Sequence, residues 1–115
     1  MSTQKNENEL YLVLQKKWFL EILKGDKKEE YRDFTDYYIR RLCKTDAKGE
    51  IIDVQKYDVI RFQLGYSKVQ MLVECKGILV EADDENGEEF TTDNCNFVIE
   101  LGEIIEKINC ESLNI

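Results

Sequence analysis

The chain has 115 residues, 43% of them hydrophobic and 35% charged, a formal net charge of −8 and no histidine. That length suits one domain with one core, and aromatics spread along the whole chain argue against disorder. Without histidine, Ser-His-Asp and Cys-His nucleophile activation and His-ligated metal centres are excluded, so any catalysis falls to Lys, Glu, Asp, Tyr, Ser or Thr.

The polar stretch 1–8 has no apolar h-region and no small-residue cleavage site, so it reads as a flexible leader to a single domain at 9–115. Apolar runs such as Ile78-Leu79-Val80 are too short to cross a bilayer, which gives the expectation of a cytoplasmic protein with no membrane partner. Glu9 to Leu14 is short and rich in strand formers and predicts a buried strand. From Lys16 to Lys24 the period becomes helical. Trp18, Phe19, Ile22 and Leu23 share an apolar face, which places Trp18 in the core, and Gly25 stands where a left-handed cap would end the helix.

Lys28 to Phe34 has strand length, with Glu30, Arg32 and Phe34 on one side and Glu29, Tyr31 and Asp33 on the other. Thr35 is the expected N-cap of a second short helix running to Cys43, with Tyr38, Ile39 and Leu42 inward and Arg40 and Arg41 outward. Lys44 to Gln55, polar and broken by Gly49, reads as a loop. Tyr57 to Leu64 and Val69 to Cys75 alternate as a hairpin around Gly65-Tyr66-Ser67, and Ile78 to Glu81 extends or bends the second strand beyond Gly77. An acidic loop at 82–89 around Asn86-Gly87 follows, then two short strands, Asn96 to Leu101 and Glu103 to Ile108, flanking Gly102. Five or six mostly antiparallel strands with two early helices predict an α+β fold, a small curled sheet or β-barrel with the helices covering one opening.

Charge is unevenly divided. Val13 to Thr45 holds nine bases against six acids, whereas from Lys76 onward there are two bases, Lys76 and Lys107, against eleven acids. An anionic ligand would therefore meet the first half, while the acidic second half favours solubility and repels loose polyanions; plain solvated surface is the alternative. The four cysteines form no CxxC pair, so reduced thiols are expected, with Cys75 a small core residue. Neither a metal nor a cofactor is predicted.

The segment from Gly25 to Arg32 concentrates the chemistry. Gly25 frees the backbone, Lys27 offers a cation near a helix end, and Glu30 beside Arg32 offers an acceptor next to a planar donor fork, a set that can hold a base edge or a phosphate. Glu30 and Arg32 can equally pair with each other or with neighbouring acids. Tyr66, in a turn, can stack on a base or serve as amphipathic cover, and Arg61 and Glu74, on the outer faces of their strands, face either a cleft or water.

The spacing G-x-K-x-x-E-x-R at Gly25, Lys27, Glu30 and Arg32, after a strand and an amphipathic helix, resembles the signature of the ASCH domain family. The likeness spans most of the chain: Lys16-Lys17-Trp18-Phe19, Glu29-Glu30-Tyr31-Arg32, Tyr37 with Arg40-Arg41-Leu42, Phe62 with Gly65-Tyr66, and Phe97 to Gly102. It implies the PUA-like β-barrel and a cleft for RNA or a nucleotide-like ligand, bound by Gly25, Lys27, Glu30, Tyr31, Arg32 and Tyr66. It also implies an alternative, a small metal-independent hydrolase acting on a modified nucleoside or on RNA, with Lys27 and Glu30 catalytic. Similar proteins that hydrolyse N4-acetylcytidine carry a threonine nucleophile where this chain has Glu30, so here Glu30 would act as a general base on water.

Overall fold

The computed structural model describes residues 8–82 and 95–113. They form two compact units: 8–28, 57–76 and 101–113 make the first, and 29–56, 77–82 and 95–100 the second. The elements are β1 (Glu9–Leu14), α1 (Lys16–Leu23), β2 (Glu29–Asp33), α2 (Asp36–Leu42), β3 (Cys43–Thr45), β4 (Ile51–Val54), β5 (Val59–Leu64), β6 (Gln70–Ala82), β7 (Cys95–Ile108) and a 3-10 turn at Cys110–Leu113. Five strands hydrogen-bond in the order β1-β5-β6-β7-β2, and β3 and β4 form a separate pair. The expected α+β class, with two short helices and a small, mostly antiparallel sheet, is what the chain adopts.

In the first unit the alternation of β1 buries Leu10, Leu12 and Leu14. β1 pairs in parallel with β5, Leu10 opposite Ile60 and Leu12 opposite Phe62, and β5 pairs antiparallel with β6, Phe62 opposite Met71. Phe19, Ile22 and Leu23 of α1 complete this core.

The end of α1 follows directly from its glycine. Gly25 sits at φ 86, a left-handed conformation that costs glycine little. Its N–H donates to the Ile22 carbonyl at 3.0 Å, and the Asp26 N–H donates to the Glu21 carbonyl at 2.9 Å, the paired bonds of a Schellman cap. The Lys27 N–H also donates to the Glu21 carbonyl, at 3.2 Å, so the cap fixes the backbone that carries Lys27. Gly25→Ala is expected to destabilise the chain by about 1 kcal/mol in urea titrations, because a Cβ disfavours the left-handed region even where no neighbour crowds it.

In the second unit β2 pairs antiparallel with the first half of β7, placing Glu30 opposite Ile99 and Arg32 opposite Phe97. Phe34 packs on Phe97 with ring centroids 5.1 Å apart. Thr35 caps α2 as expected, its Oγ1 accepting from the Tyr38 N–H at 3.3 Å, and Leu42 is buried.

Several sequence expectations are corrected. Residues 44–55 are not all loop, for β3 and β4 form an antiparallel pair there. The turn between them is held by Asp46, whose Oδ1 accepts from the N–H groups of Lys48 and Glu50, both at 2.9 Å, with Gly49 at φ 86. β7 is one strand through Gly102 rather than two. That glycine serves close approach, since a Cβ there would lie 2.8 Å from Cδ of Glu74. Cys75 is half-buried, while Cys43, Cys95 and Cys110 are the buried cysteines. Burial raises the pKa of the Cys43 and Cys110 thiols above the ordinary value. The leader 1–7 and the Asn86-Gly87 turn lie outside the described residues; Asn8 is tied to Asp58, whose Oδ2 accepts from its N–H at 3.0 Å.

Candidate functional site

The sequence motif divides between the two units: Gly25 and Lys27 belong to the first, and Glu30, Tyr31 and Arg32 to the second.

In the first unit the Schellman cap delivers its residues into a cleft of about 230 Å³. One wall is Ile22, Gly25, Lys27 and Lys28; the other is the stretch of β7 bearing Leu101, Gly102, Glu103, Ile104 and Lys107. The walls are joined by the Leu101 N–H, which donates to the Lys28 carbonyl at 2.9 Å. Glu74 packs against Gly102, and its Oε1 accepts from the Glu103 N–H at 3.2 Å, so this carboxylate supports the β7 wall. Three lysines against Glu103 leave the lining net positive in a chain whose net charge is −8. Such a local reversal of sign concentrates anions.

Lys27 is half-buried, and its Nζ lies 5.1 Å from the centroid of the Trp18 ring, with Lys17 Nζ 4.6 Å from the same centroid. Trp18 is therefore not the core residue its helical phase suggests; it is 38% exposed. It stands in the first turn of α1, at the margin of the apolar stripe, where an indole can present its face to cations.

In the second unit Glu30 is only 6% exposed, the one buried charged residue among those described. Its Oε2 accepts from Arg32 Nε at 3.0 Å and Nη2 at 2.8 Å. Arg32 Nη1 donates to the Tyr38 hydroxyl at 2.8 Å, and the guanidinium lies 5.6 Å from the centroid of that ring. The carboxylate and guanidinium are thus neighbours, as the strand period predicts, and they engage each other. Tyr31 is exposed and donates to Glu29 Oε1 at 2.6 Å; this bond, then the Glu29 charge, raises the phenol above its ordinary pKa.

Of the remaining candidates, Tyr66 is 93% exposed at the turn after β5. Arg61 is held by Glu9 at 2.7 Å and by Gln70 Oε1 at 3.0 Å. Lys28, Lys107 and Glu103 carry no motif signal in the sequence. The one cue to Lys107 is its isolation, since it and Lys76 are the only bases from residue 76 onward. Among the described residues no group of three or more Cys, Asp or Glu side chains is placed to hold a metal ion, and no helix is long and apolar enough to cross a membrane.

No protein family, no curated protein and no solved structure matches this chain.

Proposed function

We propose that this chain is an ASCH-like domain that binds a nucleotide, free or within an RNA strand, through the cleft at Gly25 and Lys27. The observation that carries the reading is the positive lining of that cleft, with Lys27, Lys28 and Lys107 converging on about 230 Å³ in an otherwise acidic chain. Drug-sized ligands occupy roughly 300–1,000 Å³, so this cleft suits a phosphate with part of its sugar, leaving the base at the mouth. The acidity elsewhere disfavours nonspecific adhesion to polyanions and makes binding local.

Hydrolysis of a modified nucleoside or RNA would require Glu30 to activate water. Its burial and its two contacts from Arg32 fit a positioning role better than proton transfer, which favours binding over hydrolysis.

Calorimetric titration with nucleoside monophosphates and short single-stranded RNA tests the proposal. Saturable binding that weakens as salt rises, with a matching rise in thermal stability, is expected. Absence of binding by either ligand at low salt would overturn it.

A further inference from the structure

Trp18 is not among the residues that line the cleft, but it adjoins two that are, Ile22 and Lys27. It precedes Ile22, a lining residue, by one helical turn, a spacing that sets side chains on one face with Cβ atoms about 5–6 Å apart. Lys27 belongs to both features, lining the cleft and reaching the indole at 5.1 Å. A tryptophan left 38% exposed beside two ammonium groups keeps polarizable ring surface within reach of whatever Lys27 binds.

We propose that Trp18 is the base platform of the nucleotide site: a nucleotide whose phosphate lies among Lys27, Lys28 and Lys107 stacks its base on the Trp18 indole. This deepens the binding function proposed above and rests on it. The ligand class follows from the juxtaposition, because a nucleotide carries an anion and a planar ring one sugar apart, whereas phosphate alone or a sugar phosphate satisfies only the lysines. Stacking on an aromatic face is tolerant of base identity, so the platform selects for the presence of a base rather than for one sequence.

Trp18 is the only tryptophan in the chain, so its emission reports on this position directly. Titration of the intact protein with AMP, a short oligoadenylate, ribose 5-phosphate and inorganic phosphate separates the contributions. AMP and the oligoadenylate are expected to change the emission saturably, ribose 5-phosphate and phosphate to leave it unmoved while binding more weakly. Tighter binding by the oligoadenylate than by AMP assigns the nucleotide to an RNA strand, and equal affinity assigns it to the free pool; both support the platform.

In calorimetry Trp18→Leu should weaken AMP by about tenfold and leave phosphate affinity unchanged, with Trp18→Phe falling between. Circular dichroism of the Leu and Phe variants checks that the fold persists. If ribose 5-phosphate binds as tightly as AMP, or if both variants bind AMP like the parent, the platform is overturned while nucleotide binding stands. If none of the four ligands binds the parent protein, the function proposed above fails and the platform with it.

Discussion

Arg32→Leu is expected to cost about 3 kcal/mol of stability, a fall in Tm of roughly 10–20 °C for a chain of this size. The reason lies in Glu30, which is 6% exposed and takes two contacts from the guanidinium on one oxygen. Leucine removes both of those contacts from a buried carboxylate that sits opposite Ile99, its register neighbour on β7. It also removes the donor that Tyr38 receives at 2.8 Å. Glu30→Met made together with Arg32→Leu should recover most of the loss, because the buried charge is removed together with its guanidinium partner. Urea titration of the two single variants and the double variant measures the coupling. Additive effects would show that the pair is not a unit, and an unchanged Arg32→Leu would remove it as an anchor of β2.

That outcome bears on function. The motif's carboxylate and guanidinium are at the right spacing to hold a base edge, yet the structure has them holding each other and Tyr38. A binding defect in an Arg32 variant is therefore interpretable only beside its stability, whereas the cleft residues Lys28 and Lys107 are exposed.

The sequence revealed features that depend on local rules. The alternation of Leu10, Leu12 and Leu14, the left-handed Gly25 after the helix, the Thr35 cap and the shared side of Glu30 and Arg32 each follow from the period or backbone preference of a few neighbouring residues. What it concealed depends on distant ones. Asp46 folds 44–55 back into a strand pair by a side-chain bond that competes poorly, on paper, with the loop signal of polar residues and Gly49. Gly102 looks like a strand breaker until Glu74, remote in sequence, is found against it. Trp18 shares the helical phase of Phe19 and Ile22, but the first turn of a short helix need not be covered by the sheet. The positive cleft is of the same kind: one of its two walls comes from β7, so the motif segment alone could suggest an anion site without locating its second wall.

Lys107 gives that second wall its sharpest test. Lys107→Ala should weaken a short single-stranded RNA by about tenfold, comparable with Lys27→Ala although the two residues are far apart in sequence. Each substitution should also reduce the slope of log affinity against log salt by about 0.7, the share of one phosphate contact on a single strand. The double variant should lose about a hundredfold, since two contacts to one ligand contribute nearly additively when neither rearranges the other. Glu103→Gln must act in the opposite direction, because it removes the acid from a lining otherwise charged by Lys27, Lys28 and Lys107. Lys107 and Glu103 are exposed, so the melting temperatures of their variants should stay near the parent value, and the half-buried Lys27 is compared with its own melting temperature measured alongside. An RNA affinity that ignores Lys107 and Glu103 while responding to Lys27 would place the ligand on Lys27 from another side and remove the cleft as its site.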